Sequence, residues 1–332
     1  MMLSNNSGGS IIDDDIFCDE FEPSTTCTYI FSVVLSLIAL IACIGNLLTI
    51  IVVILDPLKC LRSPFTSFVV NLSIADALQG AIAVPFVVYH LLDHEKGLRL
   101  TSKTVHCLTC ISLLSVFFST VIISVDRYIG ITRPLKYRVH LSHGRCLKIA
   151  SAIWVISIGS GFLITYRPYE TISFMVYNYF MLVTGIIVMF ITFVLMYRFL
   201  KQNERQFCEK LRSASITSTS SRYNAEKRVT IVLLIVLSIF MGTYIPALVM
   251  LNLSQYCFEC SCETRYDLYV IRYILLVSNS AINPFVYSIR MKDFRNSIQS
   301  LFVRKTNRKT RYRLITDTSS DGVSNLEKSA AM

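Results

Sequence analysis

The stretch Ser124-Val125-Asp126-Arg127-Tyr128 ends a long apolar run with an acid, an arginine and a tyrosine. A basic segment, residues 132–138, follows it directly. From Cys107 to Arg127 the chain covers about 20 residues, which corresponds to about 30 Å of helix and to the thickness of a bilayer core. The pattern therefore predicts a membrane-spanning helix with Arg127 at its basic end. Because a guanidinium is costly in lipid, Arg127 is expected to face protein or water.

The composition also indicates a membrane protein. Of 332 residues, 53% are hydrophobic and only 16% are charged, whereas soluble domains carry about 25% charged residues. The mean hydropathy is +0.54. Seven apolar segments are each long enough to span a bilayer as a helix, and no internal repeat of the kind found in many transporters is present. The predicted fold is an all-α bundle of seven transmembrane helices, at about 28–55, 64–91, 103–129, 147–165, 173–200, 227–252 and 267–289.

The charges predict the orientation of the bundle. With an odd number of spans, 26 of the 32 Lys and Arg residues lie on one side and 6 on the other. Positive charge accumulates on cytoplasmic loops, so the acidic N-terminus is predicted to be outside. The net charge of +10 is thereby explained without a nucleic-acid partner. Residues 1–10 are polar, so the first span is expected to act as the insertion signal.

This orientation divides the chain into three parts. Residues 1–27 are predicted to form an extracellular tail, in which Asn5 opens a glycosylation sequon. Residues 28–302 form the membrane domain, which includes an amphipathic helix at 291–302 that would lie along the inner membrane surface. Residues 303–332 are predicted to be a disordered cytoplasmic tail.

A carboxylate lies in the middle of the second predicted span. Asp76 is flanked by apolar sequence, and a buried acid requires polar partners. The polar residues of spans one and seven supply them. The predicted buried polar network consists of Asp76, Asn46, Asn279, Ser280 and Asn283.

Together these motifs resemble the rhodopsin-like G-protein-coupled receptors over about residues 28–302. The resemblance implies a receptor in the plasma membrane, surrounded by lipid, that binds an extracellular ligand and activates a heterotrimeric G protein. It also implies a possible sodium ion near Asp76 and an arrestin-like partner after phosphorylation. The matching residues are Asn46, Asp76, Asp126, Arg127, Tyr128, Trp154, Tyr197, Phe240, Pro246, Asn283, Pro284 and Tyr287, and those assigned to G-protein coupling are Asp126, Arg127, Tyr128, Tyr197, Glu226, Asn283, Pro284 and Tyr287.

Some positions depart from the common pattern of this family. Ser102 replaces the usual cysteine at the outer end of span three, and the second outer loop contains no cysteine. These absences look most like the melanocortin, cannabinoid and adenosine branch. The acids with which melanocortin receptors bind ligand are missing, however, because the matching positions are Phe86, Ser102 and His106.

The resemblance also implies a ligand pocket, although it does not identify the ligand. Amine receptors carry an Asp at the position of Thr109, so an amine is disfavoured. The pocket set is mostly apolar, which favours a lipid, another neutral molecule or an apolar part of a peptide. The implied pocket residues are Phe86, His106, Thr109, Cys110, Leu113, Met181, Tyr244, Leu248, Tyr273 and Val277.

The outer cysteines predict disulfides. The extracellular compartment is oxidising, so bonds are expected among Cys257, Cys260 and Cys262 and from Cys27 to that loop. Cys107-x-x-Cys110 and Cys257-x-x-Cys260 also have the spacing of a zinc site. Because the outer compartment favours disulfides and two cysteines three apart on a helix are ordinary packing, no metal is predicted.

The inner end of span six predicts a switch contact. Glu226 lies 20 residues before Pro246, or about 30 Å along a helix, which is the depth of Arg127. Its position matches the acid that pairs with this arginine in many rhodopsin-like receptors and keeps the cytoplasmic cleft closed. The alternative is that Glu226 only balances Lys227 and Arg228 at a wet surface.

A bundle of seven membrane helices could also have one of two other functions. A light-sensing pigment needs a lysine in span seven, where this chain has Val277. A membrane enzyme or transporter would need a catalytic or ion-binding set, but Asp76 is the one carboxylate in the middle of the predicted spans. We therefore expect a receptor rather than an enzyme.

Overall fold

The computed structural model describes residues 23–302 except 60, 62, 93–98, 134–136, 138–141, 167–171, 214–217 and 258. Some further side chains also lie outside the described set, including those of 99–102, 172–178 and 203–229. The described part is helical throughout its length apart from short connections. The predicted spans are all present as helices. The fifth helix continues to Ser213 rather than ending at 200, and the sixth begins at Ser218 rather than at 227. Their bounds are α1 Thr25–Leu55, α2 Pro64–Leu78 continued by a π-helical turn Gln79–Ala83 and by Val84–Leu92, α3 Arg99–Thr132, α4 His143–Tyr166, α5 Ile172–Ser213, α6 Ser218–Tyr256, α7 Cys262–Arg290 and α8 Lys292–Phe302.

Two helices begin at serine N-caps. The Ser63 hydroxyl accepts a hydrogen bond from the Thr66 N–H at the start of α2, and the Ser261 hydroxyl accepts one from the Thr264 N–H at the start of α7. Each bond satisfies one of the donors that the first helical turn leaves free. The chain thus specifies where these two spans begin on opposite sides of the membrane.

Six helices of the described part are long and apolar enough to cross a bilayer, namely α1 to α6. The seventh, Cys262–Arg290, has the length but carries Arg272, Asn279 and Asn283 within its central turns. Many apolar side chains of α1 point outward and stay exposed, including Ile44 and Ile54. A surface of this kind suits lipid, because soluble monomers rarely expose large apolar patches.

Two buried clusters hold the bundle together. The inner cluster joins all the helices around large side chains such as Phe117, Phe240 and Tyr287. The outer cluster packs α1, α2 and α7 against one another around Leu35, Val84 and Val270. Glycine is required where α1 meets α7, since a Cβ on Gly45 would lie 2.9 Å from the Pro284 ring.

The helix after the seventh span is amphipathic, as the sequence predicts. Phe294 and Ser297 are buried in α8, and Ile298 and Leu301 pack against the inner cluster, which puts these residues on one face. The Phe294 ring lies 6.4 Å from that of Tyr287, so α8 is anchored to the inner end of α7.

Candidate functional site

The cytoplasmic end of α3 forms a closed polar cluster with the second inner loop. The Arg127 Nε donates to Asp126 Oδ2 at 2.8 Å, and the Arg127 guanidinium also donates to the Tyr137 hydroxyl. The Tyr137 hydroxyl in turn donates to Asp126 Oδ1 at 3.0 Å. The guanidinium carbon stacks 4.0 Å above the Phe65 ring of α2. Arg127 is thereby held on three sides by this chain.

Burial makes this cluster stronger than an exposed ion pair. The Arg127 side chain is 13% exposed and that of Asp126 is 4% exposed, whereas fully exposed pairs contribute only ~0–1 kcal/mol. Burial also raises the pKa of Tyr137 above its ordinary value, so this residue remains a neutral phenol that can donate a hydrogen bond. The sequence predicted roles in coupling for Asp126 and Arg127, but not the part played by Tyr137.

A second polar site lies among α1, α2 and α7. The Asn283 Nδ2 donates to Asp76 Oδ2 at 2.9 Å. The Asn46 Nδ2 donates to the Ser280 carbonyl at 3.0 Å, and the Ser280 hydroxyl donates to Gln79 Oε1 at 2.9 Å. Four of the five predicted network residues therefore meet here. Gln79 was not foreseen, because its placement depends on the π-helical turn in α2.

Several buried polar atoms of the predicted network have no hydrogen-bond partner among the described residues. They are Asp76 Oδ1, Asn46 Oδ1 and both side-chain atoms of Asn279, and Ser115 Oγ of α3 is buried in the same way. Buried polar atoms are normally paired. The unpartnered oxygens are consistent with a bound cation or water at this position.

The other predicted coupling residues are distributed along the inner half of the bundle. Tyr287 is 1% exposed, whereas Tyr197 is 51% exposed and faces away from the bundle. Tyr128 packs against the inner cluster. The Glu226 side chain lies outside the described residues, so its contact with Arg127 stays a prediction, and Asn5 lies outside them as well.

An aromatic stack occupies the middle of the bundle. The Phe240 and Tyr244 rings of α6 stack with centroids 3.9 Å apart, and Phe117 of α3 lies 5.9 Å from Tyr244. The stack packs the helix that carries Pro246 against α3. It lies between the implied ligand pocket and the inner switch, so it can transmit a movement of α6.

The implied pocket residues have different environments. Thr109, Tyr244, Tyr273 and Val277 are buried, whereas Phe86 is 39% exposed. Near the outer end of α3 the Cys110 thiol lies 3.8 Å from the His106 ring nitrogens. His106, Cys110, Leu113, Met181 and Leu248 are partly buried.

One predicted disulfide is present in the third outer loop, between Cys257 and Cys260, and Cys262 is also disulfide-bonded. The predicted bond from Cys27 to that loop is wrong, since Cys27 is free. The reason is its helical face: Cys27 points outward, while the next residue, Thr28, faces α7 and contacts the Tyr266 hydroxyl at 3.0 Å. Because Cys257 and Cys260 are bonded to each other, their thiols are not available as the zinc ligands that their spacing would allow.

We expect the Tyr244 hydroxyl to lower the stability of the folded protein. The Tyr244 hydroxyl is buried without a hydrogen-bond partner among the described residues, and such a group costs about 1–3 kcal/mol. Tyr244→Phe keeps the ring stack and removes that cost. It should therefore raise the apparent unfolding temperature of the purified protein, while Phe240→Leu, which breaks the stack, should lower it. A lower unfolding temperature for Tyr244→Phe would show that the hydroxyl is paired.

Comparison with known proteins agrees with this geometry. Residues 45–287 match the family model described as 7 transmembrane receptor (rhodopsin family). The chain is 29% identical to the histamine H2 receptor of Canis lupus familiaris, over 91% of this chain and 84% of that protein. It is 26% identical to melanocortin receptor 5 of Mus musculus, over 80% and 81%. Squid rhodopsin shares the fold, with a TM-score of 0.73, 18% identity and coverage of 89% of this chain and 91% of that one.

The chain belongs to the rhodopsin family of seven-transmembrane receptors. It is a G-protein-coupled receptor that crosses the plasma membrane several times, and it is not an enzyme, because its relatives are receptors. The prediction of this family from the sequence is confirmed. Adenosine receptor A2a of Canis lupus familiaris, which is 24% identical over 84% of this chain and 73% of that protein, is a further relative.

Proposed function

We propose that the hydrogen bonds among Asp126, Arg127 and Tyr137 hold this receptor in its inactive, closed arrangement. We call this cluster the lock. In the closed arrangement the Arg127 guanidinium is hydrogen-bonded to Asp126 and Tyr137. When an outside ligand repacks the helices, α6 moves outward and Arg127 becomes available to a heterotrimeric G protein. The observation that carries this proposal is the double engagement of Arg127 within its own chain. A ligand can drive the change only by binding the open arrangement more tightly than the closed one.

Nucleotide exchange tests this function directly. The purified full-length receptor in lipid nanodiscs is mixed with heterotrimeric G proteins of the main α-subunit classes, and GDP–GTP exchange is followed without ligand. We expect at least one class to exchange faster with receptor than with empty nanodiscs. No acceleration in any class, including with a receptor carrying Tyr137→Phe, would contradict the proposal.

We propose that the ligand is not an amine. Thr109, at the position where amine receptors carry their Asp, is buried and neutral, so it cannot balance an ammonium. One relative is named a histamine receptor and another a tachykinin-like peptides receptor of Drosophila melanogaster. The relatives therefore do not select one ligand class, and the argument rests on Thr109. A panel of biogenic amines is expected to leave nucleotide exchange unchanged.

We propose that a sodium ion binds beside Asp76. The residues fit such an ion, since Asp76 Oδ1 and Asn279 Oδ1 are buried oxygens without hydrogen-bond partners among the described residues, and oxygen ligands suit hard cations. Exchanging NaCl for choline chloride at equal ionic strength should lower the apparent unfolding temperature of the wild type. Asp76→Asn should abolish this difference, and an equal difference in Asp76→Asn would refute the site.

We also propose that phosphorylation recruits an arrestin-like partner. The hydroxyl residues lie between the fifth and sixth membrane spans, at Ser213, Ser215 and 217–221, and in the tail, at Thr316, Thr318, Ser319 and Ser320. Added phosphates would create acidic sites for a partner rich in Lys and Arg. With these hydroxyls replaced by Ala, desensitisation of the receptor in cells should slow, and an unchanged rate would contradict the proposal.

A further inference from the structure

An arginine on α7 lies within the outer half of the membrane bundle. Arg272 follows the start of α7 at Cys262 by ten residues, which places it about 15 Å along the helix. Its side chain is partly buried. Arginine at this depth is costly unless it is paired or serves a function.

Two aromatic rings position this guanidinium. The Arg272 guanidinium carbon lies 5.0 Å from the ring centroid of Tyr269 and 5.0 Å from that of Tyr273. The two rings meet edge to face with centroids 5.0 Å apart. The two rings hold the cation by cation–π contacts, which use none of its N–H donors as hydrogen bonds to oxygen.

Those N–H donors have no acceptor among the described residues. The structure places no carboxylate within ion-pair distance of Arg272 in the part of the chain that it describes. Another arginine of the same helix behaves differently, since the Arg265 Nε donates to the Ser254 carbonyl at 2.8 Å and ties α7 to α6. Arg265 thus makes a hydrogen bond that joins two helices, whereas the Arg272 guanidinium is held by two rings and has no hydrogen-bond acceptor among the described residues.

Arg272 also faces the implied ligand pocket. Tyr273, one of the two rings that contact the guanidinium, belongs to that pocket. Because helical side chains lean toward the N-terminus, Arg272 reaches toward the extracellular side. Below it, Val277 is fully buried in the outer apolar cluster. The Arg272 cation therefore lies on the extracellular side of an apolar part of the bundle.

We propose that Arg272 is the anchor for an anionic amphiphile, a ligand with one carboxylate or phosphate group and an apolar body. The planar guanidinium would bind the anion with two parallel hydrogen bonds, and the apolar body would extend toward Val277. This inference deepens the proposed receptor function, and it changes the neutral ligand favoured by the sequence to a negatively charged one.

Binding is tested with three probes that share one C18 chain: oleate, oleyl phosphate and uncharged oleyl alcohol, each below its critical micelle concentration. The apparent unfolding temperature of the full-length receptor in neutral-lipid nanodiscs is measured against probe concentration. We expect one or both anions to stabilise the wild type and the alcohol not to. The carboxylate and phosphate arms decide which head group is preferred.

Four variants locate the binding charge. Arg272→Gln should weaken anion binding at least about tenfold, because one side of a charged pair is lost. Arg272→Lys keeps the charge without the planar fork, so it should bind with intermediate affinity. Arg272→Glu should reverse the preference, so that oleylamine stabilises and oleate does not. The control is Lys103→Gln, which removes one positive charge at the outer end of α3.

The outcomes separate this proposal from the lock. If neither anion stabilises the wild type, or if Arg272→Gln and Lys103→Gln weaken binding equally, the anchor is refuted. Receptor-dependent nucleotide exchange without ligand would still stand in that case, because it does not require Arg272. Anion binding without any nucleotide exchange would instead leave the anchor intact and refute the lock.

Discussion

Tyr137→Phe is expected to raise basal nucleotide exchange about tenfold. The Tyr137 hydroxyl bonds both Asp126 and Arg127, and hydrogen bonds to charged groups contribute about 1.5–3 kcal/mol. If these bonds exist only in the closed arrangement, the loss of about 1.4 kcal/mol increases the ratio of open to closed receptor tenfold. The phenylalanine ring still fills the same space, so the change tests the hydroxyl alone.

The measurement compares purified variants in nanodiscs at equal receptor concentration. Tyr166→Phe is the matched control, since Tyr166 lies at the outer end of α4 and is 51% exposed. It should leave exchange at the wild-type rate. If Tyr137→Phe also exchanges at the wild-type rate, the inner loop does not hold Arg127 in the closed arrangement.

Arg127→Ala is expected to act in the opposite direction. It removes the group that the open cleft offers to the G protein, so exchange should fall to the rate of empty nanodiscs. The double variant of Arg127→Ala with Tyr137→Phe should be equally inactive, because an open cleft without Arg127 has no contact to offer. Activity of the double variant above that rate would show that Arg127 only stabilises the fold.

Glu226→Ala would show whether a second lock exists. The sequence predicts the pairing of Glu226 with Arg127, and loss of a contact present only in the closed arrangement should again raise exchange about tenfold. If both acceptors hold the same guanidinium, the effects of Glu226→Ala and Tyr137→Phe should not add. An unchanged rate of nucleotide exchange in Glu226→Ala would indicate that Glu226 is solvated and does not hold Arg127.

The helices could be predicted because each depends on local sequence. Apolar length and the amphipathic spacing of Phe294, Ser297 and Ile298 each refer to one segment. Asp76 could be assigned to a buried network on the same basis, since a carboxylate in apolar sequence must find polar partners. These inferences required no knowledge of how the helices pack.

What the sequence could not supply depends on contacts between distant segments. Tyr137 is one of 17 tyrosines, and only the path of the inner loop brings it to Arg127. Gln79 reaches Ser280 because a π-helical turn changes the direction of its side chain. Arg272 was counted only as an outer positive charge, because the pocket was assembled from positions known in other receptors. The wrong bond to Cys27 has the same origin, since the helical face of Cys27 cannot be read from its compartment.

The bond between Asn283 and Asp76 is expected to dominate the stability of the α2–α7 contact. Asn283 is 3% exposed and Asp76 is fully buried, so Asn283→Ala removes a hydrogen-bond donor from a buried carboxylate. A loss of about 1.5–3 kcal/mol should lower the apparent unfolding temperature by about 3–6 °C for a protein of this size. Ser278→Ala is the matched control on α7, since its hydroxyl donates only within its own helix, to the Ile274 carbonyl.

A double-mutant cycle distinguishes this bond from general damage. Asp76→Ala and Asn283→Ala are measured singly and together, in sodium-free buffer so that a cation does not contribute. Residues in direct contact show coupling of about 0.5–3 kcal/mol, whereas independent sites are additive within about 0.5 kcal/mol. We expect the double variant to be more stable than the sum of the single losses predicts, because removal of Asp76 makes the donor at Asn283 unnecessary. Additive losses would mean that the two residues support the bundle separately and that Asp76 is held by another group.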